Sequence, residues 1–191
     1  EQRRIAWQEL AEQLRGDYDG VDGERVRLMM HTAPRYGQGD SLGDHWAVKI
    51  SDLFTRLVTE QPTSGGRRMI PGWFSWADTL RLGKQVAATP DGRRAGEPIA
   101  HGANPRPGFR DDGAATAMVK AIAAIQPGYG NTAPVQLELD PCITQSDGAV
   151  DIITRLITAH FDLGGTLFNI NIVDAGQVLA AHKDPSQYPD L

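Results

Sequence analysis

The sequence predicts an α/β fold, and three observations carry that prediction. The last third of the chain alternates strand, helix, strand and helix, the order expected of parallel strands joined by crossover helices. The first third reads as three amphipathic helices. Between them lies a long stretch rich in glycine and proline, too irregular for any regular element. The chain has 191 residues, 40% hydrophobic and 23% charged, which suits a globular protein and argues against disorder.

The first helix is predicted over residues 5–15, with apolar residues at helical intervals and Gly16 as its stop. The second runs from Gly23 to Thr32, turns Val26, Met29 and Met30 inward and ends before Pro34. Asp40 or Ser41 caps a third helix reaching Thr59, whose Trp46, Ile50, Leu53, Phe54, Leu57 and Val58 recur every three or four residues. All three are expected to direct these faces into a core. Residues 69–77 form an aromatic stretch compatible with a short strand, weakened by Pro71 and Gly72.

The segment from Ala88 to Gly113 is built from specific turns, not from the Ser, Glu or Lys of a flexible linker, so an ordered loop is expected. Asp112 then caps a helix over 114–125. Val135, Leu137 and Leu139 alternate with Gln136 and Glu138, the period-two pattern of a half-buried strand. Asp147 is expected to cap a helix to Phe161, ended by Gly164-Gly165; residues 166–173 form the second strand, and Asp174 caps a last helix to His182.

Composition excludes several functions. The net charge of −5, without a long basic run, offers no nucleic-acid surface, and no apolar run is long enough to span a membrane. The single cysteine, Cys142, permits no internal disulfide and suits a reducing compartment, so a cytoplasmic location is expected. The five histidines lack metal-ligand spacing, which argues against a metal site. His160 and His182 are expected to meet the dipoles at the C-terminal ends of their helices. The opening without Met and the uncapped close at Tyr188-Pro189-Asp190-Leu191 suggest a segment of a longer chain.

Few residues suggest chemistry. Residues 128–133 match a loosened dinucleotide fingerprint, but they follow a helix and open a strand, the reverse of what phosphate binding needs. Cys142 has no obvious base nearby, so a small buried side chain is expected over an activated nucleophile. The pairs Arg67-Arg68 and Arg93-Arg94 beside glycines suit either anion binding or, more commonly, solvated turn charges. Asn169 and Asn171 share one face of their strand, opposite Phe168, Ile170 and Ile172. Those amides either line a polar cavity, brace a neighbouring loop or simply face solvent.

The central segment then resembles a known family. Thr89-Pro90-Asp91-Gly92-Arg93-Arg94-Ala95-Gly96-Glu97-Pro98, followed by Gly102-Ala103-Asn104-Pro105, Gly108 and Asp111-Asp112-Gly113-Ala114, resembles the pyruvate formate-lyase and glycyl radical enzyme family. Residues 164–173 are similar to the family strand before its radical-bearing loop, and residues 184–191 to the approach to that loop. Ala33-Pro34-Arg35-Tyr36-Gly37 and Asp40 resemble its "APKYGND" region, with Gln38-Gly39 in place of the usual Asn. Residues 136–141 are more acidic than the family's "N-x-K/R-x-x-P" pattern.

The resemblance implies part of a ten-stranded barrel, the second of two parallel half-barrels, with surrounding helices. It implies the end of a pyruvate formate-lyase-like domain over 1–101 and a truncated glycine radical domain over 102–191. It also implies radical lyase, dehydratase or decarboxylase chemistry on a small organic substrate in an anaerobic organism, with a non-catalytic module of a split enzyme as the alternative. The radical is installed on a backbone glycine by a radical-SAM activating enzyme, and the full-length protein is expected to be a homodimer. No cofactor is expected to bind this segment. The hydrogen-abstracting cysteine should lie upstream, and the "RV(S/A)GY" loop should begin just after Leu191. No catalytic residue then falls here, only scaffold: the turn at Asp91-Gly92, the loop at Asn104-Pro105, and Asn169 and Asn171 on their strand.

Overall fold

A computed structural model describes residues 4–74, 78–106, 115–127 and 133–188. Three helices open it: α1 (Trp7–Arg15), α2 (Gly20–His31) and α3 (Leu42–Thr59). A short helix, α4 (Thr79–Gly83), follows; its N-cap Asp78 accepts from the backbone of Leu80 and Arg81. After the glycine-rich loop come α5 (Ala115–Ala124), β1 (Val135–Leu139), a single turn α6 (Pro141–Thr144), α7 (Ala149–Asp162), β2 (Phe168–Ile172) and α8 (Ala175–Lys183).

β1 and β2 pair in parallel, from Val135 with Phe168 to Leu139 with Ile172. The strand order and the crossover helix are those expected of the α/β reading. Val135, Leu137 and Leu139 are buried with Val119, Ile122 and Leu156 from α5 and α7. The alternation on β1 therefore acts as the period-two pattern requires, with one face in the core and Glu138 on the open face. A second, smaller cluster of Leu10, Tyr18 and Val26 joins α1 to α2.

The α7–β2 junction shows how local chemistry fixes this unit. Gly164 has φ +94°, its N–H donates to Phe161 O, and the Gly165 N–H donates to His160 O at 2.8 Å, which together form a Schellman C-cap. His160 lies beside that cap, fully buried, edge-on to Phe161 and Phe168. A Cβ at Gly165 would stand 2.2 Å from its ring, so only glycine fits. His160 thus packs as an aromatic in the interior and does not act as an exposed cation at the helix end. Burial holds its pKa below the ordinary histidine value, while the nearby backbone of Val119 and Leu167 pulls the other way. His182 does lie in the last turn of α8, whose N-cap is Asp174 as expected.

Other expectations change. Residues 69–74 are irregular, because Pro71 cannot donate to a ladder and no strand among the described residues runs alongside; residues 75–77 lie outside the described residues. The N-cap of α7 is Gly148, not Asp147, and its side-chain acceptor is missing. Cys142 is exposed, not core, because Asp140 caps α6, Pro141 takes its first turn and the Cys142 N–H bonds Asp140 at 2.8 Å. The cap expected at Asp112 and the turn at residues 128–132 lie outside the described residues.

α3 spans the expected range but faces the other way. Ser41 and Asp44 form its capping box, and Asp44 and Ser51 are its buried residues. Trp46, Ile50, Leu53, Phe54 and Leu57 are exposed. Small and polar residues dock the helix, because its neighbours present backbone groups: the Asp44 carboxylate accepts from Gly37 N and Ser41 N, and Ser51 Oγ donates to Ile125 O at 2.8 Å.

Candidate functional site

Residues 88–106 of the glycine-rich loop are ordered by a polar network built around two turns, and residues 107–113 lie outside the described residues. Gly92 has φ +84°, the left-handed turn conformation expected after Pro90-Asp91, and its N–H donates to Thr89 O. Thr89 and Arg93 form an isolated bridge across that turn. A Cβ at Gly92 would meet the His31 ring of α2 at 2.8 Å, so the turn is also the point where loop and helix touch.

Asp91 organises the surrounding charges. Its carboxylate accepts from Thr89 Oγ1 at 2.5 Å and from Arg106 at 3.5 Å; its carbonyl accepts from Arg35 Nη2 at 2.7 Å. Burial would raise its pKa, but these donors and the Arg93 N–H outweigh it and hold the carboxyl below the ordinary aspartate value. His31 is pushed down by burial and by Arg35, Arg27 and Arg106, and is therefore neutral at pH 7. Glu24 is held at about 2, chiefly by hydrogen bonds from Arg27 and then Arg94.

Arg93 and Arg94 are bonded to groups of this chain and do not stand as solvated turn charges. Arg93, only 3% exposed, donates to the carbonyls of Glu97, Val86 and Ala87. Arg94 donates to Asp17 O, Tyr18 O and Glu24, which pins the α1–α2 turn onto the loop. Asp17 and Tyr18 in that turn both have positive φ without being glycine. Tyr18, fully buried, adds a bond from its hydroxyl to Thr89 O at 2.9 Å. Arg67 and Arg68, by contrast, are exposed as solvated charges.

Three consecutive residues then tie the loop to three places. Asn104 behaves as a short strand partner: its amide donates to Gln136 O at 2.6 Å and its carbonyl accepts from Gln136 N at 3.0 Å, which satisfies β1 on the edge away from β2. Pro105 packs on Gly37, where a Cβ would be 2.2 Å from its ring and where φ is +98°. Arg106 reaches back to Asp91 and, at 2.8 Å, to Glu97. Tyr36 closes the same region by donating to Ala103 O at 2.8 Å.

Asn169 and Asn171 are exposed on the sheet face opposite the core. Asn169 donates to Gln136 Oε1 at 2.6 Å, and Glu138 pairs in register with Asn171. Gln136 is therefore the meeting point: its backbone is held by Asn104 and its side chain by Asn169. Sequence reasoning named both asparagines but not this glutamine, nor Arg106 or Tyr18. Among the described residues no hydrogen bond joins the Asp91-Gly92 turn directly to β1 or β2, and no group of three metal-ligating side chains occurs. No described helix is long and apolar enough to cross a membrane.

The model of the pyruvate formate lyase-like family matches residues 1–83. The probable dehydratase YbiW of Escherichia coli is 30% identical over 201 residues, covering all of this chain and 25% of its own length. Trans-4-hydroxy-L-proline dehydratase of Clostridioides difficile is 25% identical over 182 residues, covering 95% of this chain and 23% of its own. A solved structure concerned with 1,2-propanediol dehydration in Roseburia inulinivorans superposes with a TM-score of 0.82 at 28% identity, covering 98% of this chain and 24% of that one. Together these similarities support a segment of the glycyl radical enzyme family. It spans about a quarter of the length of the curated relatives that it matches. The B12-independent glycerol dehydratase of Clostridium butyricum, at 26% identity and a TM-score of 0.77, matches over a similar share.

Proposed function

We propose that this chain is a scaffold segment of a glycyl radical enzyme that carries out lyase or dehydratase chemistry on a small organic substrate. The observation that carries this reading is the bracing of the polar sheet face. Asn104 from the loop and Asn169 from β2 converge on Gln136, so that one face of the parallel pair is apolar, buried along β1 and half-buried at Phe168 and Ile170 of β2, while the other presents fixed amides. A strand in a barrel supplies one face to the helices and one to the interior, and this pair has that division. The pair then belongs to the second half-barrel of a ten-stranded barrel, with Gln136, Glu138, Asn169 and Asn171 toward its centre.

On this reading residues 1–101 close the pyruvate formate-lyase-like domain and residues 102–191 begin the glycine radical domain. None of these residues is catalytic. Asp91, Gly92, Asn104, Pro105, Asn169 and Asn171 hold the shape of the water-excluding interior that a protein radical needs. The glycyl radical would be generated elsewhere in the enzyme by a radical-SAM activating protein, in a cytoplasmic, anaerobic setting and in a homodimer. If the remainder is encoded separately, the chain is the non-catalytic module of a split enzyme.

Electron paramagnetic resonance tests the reading. The complete enzyme, treated anaerobically with its activating protein and S-adenosylmethionine, should give a glycyl doublet; residues 1–191 alone should give none. A stable radical on these residues alone would overturn the placement. Gln136→Leu in the complete enzyme should lower substrate turnover while leaving the doublet intact, and unchanged turnover would remove the role given to the polar face.

A further inference from the structure

The feature that the polar network and the sheet face leave unused is the outward face of α3. On a helix that advances about 100° per residue, Trp46, Ile50, Leu53 and Leu57 lie on the side opposite Asp44, Ser51 and Val48, the residues that dock α3 on the rest of the chain. Those four are between 48% and 60% exposed. Their spacing of four, three and four residues is the a/d spacing of a helix-packing seam, roughly 16 Å long at about 1.5 Å per residue. Monomeric surfaces scatter apolar residues singly, whereas these form one continuous row.

The two margins of that row differ. On one side Ala47 packs against this chain's own core, and Phe54 meets Trp73 with ring centroids 5.0 Å apart. On the other side stand Lys49 and Arg56, and neither forms an ion pair among the described residues. Lys49 lies 5.0 Å over the Trp46 ring, at the edge of the row. Asp52 is the nearest acid on α3 and lies one row further round, away from the seam.

We propose that this face is the docking seam for an amphipathic helix with an acidic flank, contributed by the part of the glycyl radical enzyme that lies outside this chain. The relatives are about four times as long as the matched region, so most of their fold remains to cover it. Charge decides against a second copy. An antiparallel duplicate of α3 would set Lys49 and Arg56 against the same two cations, and a parallel one would need the margin that Ala47 and Phe54 already use. The inference rests on the family reading, but on different residues from those of the polar sheet face.

A photo-cross-linking amino acid in place of Leu53, in the complete enzyme or the assembled complex, tests it. The captured peptide should come from outside residues 1–191, carry acidic residues beside an apolar stripe, and appear in the same yield when the protein is diluted until dimers dissociate. Reversing the margin with Lys49→Glu and Arg56→Glu together should lower the melting temperature of the complete enzyme, by an amount that shrinks with added salt. Capture of residues 1–191 from another copy, lost on dilution, would overturn the proposal in favour of a homodimer face. No capture, together with an unchanged melting temperature in the reversed variant, would overturn it in favour of open solvent. The glycyl doublet separates the two claims: a doublet without capture sinks the seam and spares the family reading, and capture without a doublet does the reverse.

Discussion

The glycine-rich loop and the βαβ unit are both ordered, by opposite means. The βαβ unit hides apolar side chains against α5, with Val135 of β1 and Ile122 of α5 fully buried and Val119 of α5 nearly so, and its strands follow from alternation alone. The loop hides little that is apolar. It is held instead by guanidinium groups that donate to backbone carbonyls, by the Asp91 carboxylate and by Asn104 acting as a strand. Apolar packing is non-directional and tolerates some repacking, whereas these polar contacts lose both the bond and the satisfaction of a buried carbonyl when one partner is removed. The two regions should therefore fail differently.

The largest effect is expected from the apolar side. Ile122→Ala opens a cavity in the main core and should cost about 2–5 kcal/mol, read as a shift of the urea midpoint. A cost below about 1 kcal/mol would show that the βαβ unit does not depend on this core. On the polar side, Arg93→Met keeps the apolar stem but takes the guanidinium donors from three carbonyls, of which Val86 O keeps the Gly96 N–H, and should cost about 2–3 kcal/mol. Arg93→Lys should recover only part, because one ammonium cannot reproduce the planar fork. Full recovery by lysine would mean that charge alone, and not geometry, orders the loop. Asn104→Ala should cost about 1–3 kcal/mol by leaving the Gln136 backbone unpaired. Asn104→Asp should be at least as harmful, since its carboxylate faces the Gln136 carbonyl.

Acid sharpens the comparison in a different way. His160 and His31 both have pKa values lowered by burial in the fold. Unfolded histidine titrates near 6.5, so above about that pH neither state carries the proton and neither group makes stability depend on pH. Below it the unfolded chain takes protons that the folded chain refuses, and stability is lost as pH falls. His160→Phe, which keeps an aromatic ring beside Gly165 and Phe168, should flatten part of that loss below about pH 6.5. His31 contributes to the same limb, and the lowered carboxyls of Glu24 and Asp91 add to it at lower pH. An acid limb identical in the variant would exclude His160 as a contributor.

What could be read in advance follows the same division. Val135 to Leu139, α7 and the caps at Asp174 and Gly164 were legible because their signals are local: period, cap residue, stop residue. The left-handed turn at Gly92 was legible for the same reason. Arg93 was not, because its partners are carbonyls that face it only after the Thr89–Arg93 turn has formed. The apolar row on α3 was visible, but periodicity says only that a face is apolar, not which neighbour covers it. Gln136 was passed over since its role depends on Asn104 and Asn169 arriving from 32 and 33 residues away.

The smallest effect is expected at Cys142, where a local signal was present and carried less weight than residue type. Free cysteine is commonly buried, which favours a core position. Yet Asp140-Pro141 is an N-cap followed by the first helical residue, and that pair places Cys142 in an exposed first turn. The structure has the cysteine exposed, and a side-chain hydrogen bond to Asp140, followed by that carboxylate's charge, raises the thiol pKa. A thiol raised in this way is mostly protonated at pH 7 and is a poor nucleophile despite its exposure. Cys142→Ala should therefore change stability by no more than about 0.5 kcal/mol, the range of ordinary surface substitutions. Maleimide labelling of the native protein should be possible but slow, and faster after Asp140→Asn, which removes the charge that raises the pKa. A destabilisation of about 2 kcal/mol in Cys142→Ala would return this residue to the core, and with it the view that α6 packs inward like α7.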